Sequence, residues 1–208
     1  VITFEDKRFV VKSFKRPCFF YKIMYTFFRA SKAKRSFKYT QRLLANGVAA
    51  PNPVGYVEKK RFGLLDESYY VSEEMFYDFT IREAQNRQVE DVETIYMQFV
   101  FFTYTMHQKG IIHLDFSPGN ILIKKEADKY KFALVDVNRM QFKPVGFKEG
   151  LKNFSRLWLS DEDAEFLGAE YAKLAGKQDQ KDYAAGVLRA LNRKFKAKKI
   201  LKNKIRGR

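Results

Sequence analysis

Cysteine is almost absent from this 208-residue chain, and long apolar runs are missing from it altogether. The single cysteine, Cys18, excludes an intramolecular disulfide, and no Cys-x-x-Cys or His/Cys cluster with metal-ligand spacing occurs, which fits a reducing compartment. The most apolar stretch, Met97 to Met106, is interrupted by polar residues and falls well short of the ~20 residues that a transmembrane helix needs. No signal-peptide pattern is visible from Val1 onward. We therefore expect a globular, cytoplasmic protein that does not span the bilayer.

Acidic residues are also missing, over two long stretches. None occurs between Lys7 and Val57 and none between Tyr183 and Arg208, although the last twenty residues include ten Lys or Arg. The net charge is +16, from 40 Lys+Arg against 24 Asp+Glu. Such asymmetry indicates a polyanionic partner, which could be nucleic acid, anionic lipid or a phosphorylated glycolipid. Solvated basic helix faces are the alternative explanation.

The periodicity of apolar residues predicts an α+β chain in two parts. The first part is expected to contain two short strands within residues 3–14 with a charged turn at 5–8, a helix over 29–46, and strands at 54–57 and 69–71 with a turn near Asp66-Glu67. The second is expected to contain a helix over 90–109, a hairpin of strands 121–123 and 132–135, and helices over 151–175 and 180–205. This organisation predicts a small β-rich lobe over residues 1–76, which further sequence upstream could complete, and a mainly helical lobe over 77–208.

The most informative stretch is His113 to Leu122, which reads His-Leu-Asp-Phe-Ser-Pro-Gly-Asn-Ile-Leu. It contains Asp115 and, five residues later, Asn120; Asp136 follows sixteen residues after Asn120. Phosphoryl transfer needs a carboxylate that orients the attacking hydroxyl and accepts its proton, together with oxygen ligands for Mg²⁺. These three residues supply that set, in the order and spacing of a kinase catalytic loop and its metal-binding Asp. Taken alone, the Asp-to-Asn segment would also suit a simple turn.

Two further parts of a nucleotide site follow from position. Lys12 lies in an apolar predicted strand about one hundred residues before the catalytic loop, where kinases place the Lys that reaches the α- and β-phosphates of ATP. A solvated strand Lys is the alternative. Glu74 and Met75 would link the two lobes and present backbone groups to adenine. The two histidines, His107 and His113, are expected to pack or hydrogen-bond rather than catalyse, because neither has the partner pattern of a nucleophile and its base.

Taken together, these segments resemble the lipopolysaccharide kinase family, which includes the Kdo and heptose kinases. The resemblance is carried by the Val-Val-Lys strand ending at Lys12, the basic helix at 29–36, the paired prolines within 47–56, the Asp115 loop, and Asp-Val-Asn-Arg at 136–139. It implies a two-lobed, protein-kinase-like fold.

The same resemblance implies roles for individual residues and partners. Asp115 would be the catalytic base, Asn120 and Asp136 the Mg²⁺ ligands, and Lys12 the residue that binds the phosphates of ATP; Glu74 and Met75 stay adenine candidates from their position alone. The implied substrate is an inner-core sugar hydroxyl of a lipopolysaccharide precursor at the cytoplasmic face of the inner membrane of a Gram-negative bacterium. No oligomeric state is implied.

Several features depart from a complete protein kinase. Leu114 replaces the Arg that usually precedes the catalytic Asp, Val137-Asn138 replace Phe-Gly, and no Ala-Pro-Glu segment follows, which favours a small-molecule or glycolipid acceptor over a peptide. No Gly-rich loop precedes Lys12; it lies upstream, is replaced by the turn at 5–8, or is absent. The basic helix has no carboxylate for Lys12, so Ser36 and Gln41 occupy the region where one is expected, and Lys12 must be solvated, bound to nucleotide or paired with another acceptor.

Three alternatives to an active sugar kinase remain at this point. The first is a pseudokinase or binding module, and the second is a kinase for another small molecule or a protein. The third is a nucleic-acid-binding protein, which is disfavoured because no nucleic-acid module is present. The basic tail from Arg189 to Arg208 could lie on an anionic membrane as an amphipathic helix, making the protein peripheral on that surface, or it could pack on the larger lobe with a solvated basic face.

Overall fold

The computed structural model describes residues 1–127 and 129–205. The strands are β1 (Ile2–Phe4), β2 (Lys7–Phe14), β3 (Pro53–Arg61), β4 (Leu64–Glu73), β5 (Phe79–Thr80), β6 (Ile111–His113), β7 (Ile121–Glu126), β8 (Lys129–Leu134) and β9 (Met140–Phe142). The α-helices are α1 (Phe19–Ile23), α2 (Lys32–Ala45), α3 (Ile81–Gln85), α4 (Val92–Gln108), α5 (Phe147–Asn153), α6 (Asp161–Leu174) and α7 (Lys181–Ile205).

These elements form two compact units. The first consists of Val1–Tyr77 together with Ala133–Met140, and the second of Asp78–Phe132 together with the chain from Gln141 onward. The assignment of residues 1–76 and 77–208 to two lobes stays a prediction. None of the helices in the described part of the chain combines the length and apolar character that a membrane span requires.

A four-stranded antiparallel sheet of order β1–β2–β4–β3 forms the body of the first unit. The predicted opening hairpin is confirmed, and its turn is Glu5-Asp6, both with positive φ. The turn predicted near Asp66-Glu67 is wrong, because the chain reverses at Phe62-Gly63, where φ is 52° and 75°. Glycine tolerates that left-handed backbone without a steric cost.

The charged pair Asp66-Glu67 belongs to β4 because cations neutralise it there. The Arg16 Nε donates to Glu67 Oε1 at 3.0 Å, and Lys22 pairs with Asp66. These cations come from the segment between β2 and α2, far away in sequence. Local turn propensity was therefore outweighed by ion pairs that only the folded sheet provides.

Helix α2 follows its sequence signals closely. Ser31 caps it, its hydroxyl accepting from the Lys34 N–H at 3.0 Å, and Gly47 follows its end with φ 66°. The helical segment just before it was not predicted: α1 continues as a π-helical turn over Met24–Phe28, and it exposes most of its aromatic side chains.

The core of the second unit is built from aromatic rings around Phe99 of α4. Its centroid lies 5.6 Å from Phe116, 5.7 Å from Phe132 and 6.1 Å from Phe154. Helix α4 matches the predicted helix over 90–109, and the predicted hairpin is confirmed as β7 and β8. Phe116 directly follows Asp115, so this cluster anchors the loop that carries the candidate base.

The single helix predicted over 151–175 is instead two helices. A 3₁₀ turn at Phe154–Arg156 and a left-handed residue at Trp158 separate α5 from α6, and Ser160 caps α6 by accepting from the Asp163 N–H at 2.9 Å. The final helix, α7, packs its Ala185 backbone against Gly168 of α6. The predicted basic tail is helical as far as Ile205; residues 206–208 and the side chains at 196, 198, 199 and 201–205 lie outside the described residues.

Candidate active site

In the first unit, the structure brings Lys12 of β2 and Asp136 together. The Lys12 Nζ lies 2.6 Å from Asp136 Oδ1, and the two side chains are 36% and 32% exposed. The carboxylate that helix α2 lacks for Lys12 is thus supplied by the segment after β8. Ser36, which was considered for that position, is buried and donates instead to the Lys32 carbonyl within its own helix at 3.0 Å.

Asp136 is held in an unusual backbone conformation. Its φ is 56°, a left-handed value that Asp adopts more readily than most residues. The Asn138 amide donates to Asp136 Oδ1, and the preceding strand is tied to the first unit where the Leu134 N–H donates to the Ala49 carbonyl at 2.9 Å. Backbone and side-chain contacts together therefore fix the direction of this carboxylate.

The residues predicted to contact adenine follow directly after β4. The Glu74 N–H donates to the Arg8 carbonyl at 2.8 Å, and its carboxylate pairs with Arg8 Nε at 2.7 Å. Glu74 and Met75 are both half-buried. The contacts of Glu74 extend the sheet edge beyond Glu73, but adenine recognition by these two residues stays a prediction.

In the second unit, Asp115 and Asn120 lie on one tight loop, residues 114–120, between β6 and β7. The Asn120 side-chain N–H donates to the Asp115 carbonyl at 2.8 Å, and the Ser117 N–H donates to the same carbonyl at 2.7 Å. The Arg82 guanidinium lies close to Gly119, since a Cβ there would be 2.8 Å from Arg82 Nη2. The five-residue spacing seen in the sequence thus closes a loop around one carbonyl.

Arg156 is a site residue that the sequence did not reveal. Its Nη1 lies 2.6 Å from Asp115 Oδ1, with side-chain exposures of 30% and 27%. Arg156 is the last residue of the 3₁₀ turn after α5, and its guanidinium also stacks on the Phe195 ring at 5.3 Å. It provides the candidate base with an ion pair.

The two histidines form hydrogen bonds that support this loop, as predicted. The His107 Nε2–H donates to Asn153 Oδ1 at 2.9 Å, its Nδ1 accepts from the Tyr171 hydroxyl at 2.8 Å, and Asn153 in turn donates to the His113 carbonyl at 2.8 Å. The Asp115 N–H donates to His113 Nδ1 at 3.0 Å. Burial lowers the His107 pKa to about 4, so the ring is neutral and the network keeps one direction.

A second cation missed by sequence reasoning is Arg35, in the first unit. It is 7% exposed, lies over the Tyr25 ring at 6.0 Å, and donates to the Ser31 carbonyl. Burial lowers the pKa of Arg35, and the neighbouring Arg29 and Arg139 lower it further. The only sequence signal was the basic run of α2, which did not distinguish this residue from its exposed neighbours.

The model of the lipopolysaccharide kinase (Kdo/WaaP) family matches residues 19–178, well over half of the chain. The fold is similar to a solved structure of WaaP in complex with acyl carrier protein, with a TM-score of 0.56, 19% sequence identity, and coverage of 78% of this chain and 74% of that one. Comparison with curated proteins gives no match.

The chain belongs to the lipopolysaccharide kinase (Kdo/WaaP) family. Membership confirms the resemblance stated from the sequence and makes the protein a kinase, that is, a phosphotransferase. The likeness to WaaP confirms the predicted α+β, kinase-like fold, with a small antiparallel sheet and a helical part.

The donor atoms of this lipopolysaccharide kinase suit a hard cation such as Mg²⁺, which prefers oxygen ligands. Asp136 offers a carboxylate, and Asn120, whose side-chain N–H is engaged by the Asp115 carbonyl, offers its amide oxygen. Across residues 1–127 and 129–205, no group of three or more His, Cys, Asp and Glu is gathered as a metal site. Either residue alone offers too few ligands for Mg²⁺, so a metal bound by either one would also take ligands from the substrate phosphates, as kinase metals do.

Proposed function

We propose that this kinase transfers the γ-phosphoryl group of Mg²⁺-ATP to a sugar hydroxyl of the lipopolysaccharide inner core, on a Kdo or heptose unit attached to lipid A. The observation that carries the proposal is the Asp115 loop. It combines a half-buried, ion-paired carboxylate with Asn120 five residues later, in a chain of the lipopolysaccharide kinase family.

Each residue has a chemical task in this proposal. Asp115 orients the acceptor hydroxyl and accepts its proton as the oxygen attacks phosphorus, and Lys12 binds the α- and β-phosphates. Asn120 and Asp136 would hold Mg²⁺, which when bound neutralises charge on the phosphates. Glu74 and Met75 would bind adenine through backbone groups.

We also propose that the protein works at the anionic cytoplasmic surface of the inner membrane. The first unit supports this, because Phe19, Phe20, Phe27 and Phe28 are between 65% and 75% exposed along one short helical segment. This segment belongs to the stretch without acidic residues. Aromatic rings beside cations are typical of helices that lie in the interface of an anionic bilayer.

The proposed reaction is tested by measuring phosphate transfer from ATP and Mg²⁺ to Kdo-lipid A, with wild-type protein, Asp115→Asn and Lys12→Met. We expect transfer by the wild type, a loss of about 100-fold or more in kcat for Asp115→Asn with an ATP affinity close to normal, and weakened ATP binding for Lys12→Met. Nucleotide binding is followed separately with a fluorescent ATP analogue.

Either of two results would overturn the proposal. Wild-type protein that neither transfers phosphate nor binds nucleotide would support the pseudokinase alternative instead. Transfer that persists in Asp115→Asn would remove Asp115 from the reaction. An acceptor-free reaction serves as the control for ATP hydrolysis.

A further inference from the structure

A cavity opens beside Asp115 in the second unit. It has a volume of about 170 Å³, and Leu114, Gln141, Ser155 and Arg156 contribute to its lining. Leu114 and Arg156 connect it to the candidate base, since one precedes Asp115 in the chain and the other is ion-paired with it. The cavity is therefore lined by two neighbours of Asp115, one along the chain and one across an ion pair.

A wider, open depression of about 750 Å³ adjoins this cavity. Its lining includes Phe147, Lys148, Lys177 and Gln180. Lys152 and Glu149 line both spaces, so the two adjoin at these side chains. We call the two spaces together the α5 groove, because α5 carries both shared residues.

The charge of the α5 groove is strongly positive. Its lining includes four cations, which are Lys148, Lys152, Arg156 and Lys177, against the single carboxylate of Glu149. Glu149 is itself neutralised by Lys143, whose Nζ lies 2.7 Å from Glu149 Oε1. A concave surface of one sign concentrates ligands of the opposite sign.

Aromatic rings position three of these cations. Lys148 lies over Tyr183 at 5.7 Å, Lys177 over Phe147 at 5.8 Å, and Arg156 over Phe195 at 5.3 Å. A ring orients a cation without cancelling its charge, unlike a carboxylate. Arg156 is also ion-paired with Asp115, whereas Lys148 and Lys177 keep their charge beside apolar ring surface. This combination suits a phosphorylated or carboxylated sugar linked to a lipid.

We propose that the α5 groove is the acceptor site of this kinase and that it recognises anionic groups, carboxylate or phosphate, on the acceptor glycolipid. Lys152 binds such a group directly. Arg156 links recognition to catalysis, because an anion in the groove competes with Asp115 for the guanidinium and so releases the carboxylate toward the hydroxyl. This inference rests on the proposed function and adds the residues that select the substrate.

The test uses the full chain and its one tryptophan, Trp158, which lies two residues from Arg156 and is partly exposed. Trp158 fluorescence is titrated with Kdo-lipid A in detergent micelles for wild type, Lys152→Met and Arg156→Met. Lys173→Met is the matched control, since Lys173 is an exposed lysine of α6 paired with Glu170, outside the groove. We expect Kd to rise about 10-fold for Lys152→Met and Arg156→Met and less than twofold for Lys173→Met.

Modified acceptors identify the anionic group. Two modified acceptors are titrated in parallel, one without its phosphates and one with its sugar carboxylate methyl-esterified. The group that Lys152 binds is the one whose modification weakens binding to wild type but has little further effect on binding to Lys152→Met. In transfer assays, Lys152→Met should raise the acceptor KM with little change in kcat, whereas Arg156→Met should change both. Arg156→Lys should restore part of the affinity.

The outcomes separate this inference from the proposed function. Unchanged affinity in Lys152→Met and Arg156→Met, or an equal loss in Lys173→Met, overturns the groove as acceptor site even if wild-type transfer is normal. The inference is also overturned if neither modified acceptor binds more weakly than the native one. Absence of transfer by wild type, with charge-dependent titration intact, overturns the kinase reaction but supports the groove as an anionic glycolipid site.

Discussion

The stability of this protein should depend on pH through one buried histidine. His107 is 1% exposed, and burial lowers its pKa to about 4, against about 6.5 in an unfolded chain. The unfolded state therefore binds the proton more tightly, so the folded state loses stability as pH falls from about 6.5 toward 4. That difference amounts to about 2 kcal/mol between pH 7 and pH 5, and to about 3 kcal/mol below pH 4.

The measurement is urea unfolding at several pH values between 4 and 8, for wild type and His107→Gln. The substitution removes the titrating ring and costs a pH-independent amount, because the hydrogen bonds to Tyr171 and Asn153 are disturbed. Carboxylates titrate equally in both proteins, so the difference between their free energies of unfolding isolates His107. We expect the two curves to converge by about 2 kcal/mol from pH 7 to pH 5. Parallel curves would refute the assignment of a depressed pKa to His107.

Two further predictions concern packing and the membrane surface. In Gly150→Ala, the new Cβ would lie 1.9 Å from the Tyr171 hydroxyl, so the free energy of unfolding in urea should fall by about 1–3 kcal/mol or more. The control Gly186→Ala has open space around its Cβ and should be neutral or stabilising. Equal effects of the two substitutions would contradict this prediction. Replacing Phe27 and Phe28 together by Ser should weaken binding to vesicles containing phosphatidylglycerol about 10-fold or more, and Phe62→Ser, at a 92% exposed turn residue, should not. Binding is measured by flotation with these vesicles. Equal binding by all three proteins would show that the aromatic segment does not bind the membrane surface.

Elements with local signals were predictable from the sequence. Helix α2 has a capping Ser31 and a terminating Gly47, and the Asp115 loop has a fixed spacing of five residues, so neither needs distant information. The turn at Phe62-Gly63 was missed because Asp66-Glu67 looked like a turn, and only their ion pairs with distant cations explain why they lie in a strand. The prediction of one long helix over 151–175 was wrong for a similar reason, because the 3₁₀ turn within that range is packed into the aromatic core through Phe154.

The candidate site shows the same division. Asp115, Asn120, Lys12 and Asp136 were predicted from residue type and spacing, which follow the chemistry that phosphoryl transfer requires, and their roles stay predictions. Arg156 was missed, because it is 41 residues away from Asp115 and nothing in its own neighbourhood marks it. Long-range pairing is set by the fold, so a cation that orients a base leaves no periodic or spacing signal in the sequence.

The pairing of Lys12 with Asp136 bears on whether this family member is active or a pseudokinase. In protein kinases the strand Lys pairs with a Glu of the neighbouring helix, and α2 has no such residue. A carboxylate proposed as a metal ligand takes its place, so the two groups neutralise each other when neither binds nucleotide. Both side chains are about one-third exposed, and ion pairs of that kind contribute only about 0–1 kcal/mol. Such a pair is easily exchanged for phosphate and metal, which is what a resting kinase requires.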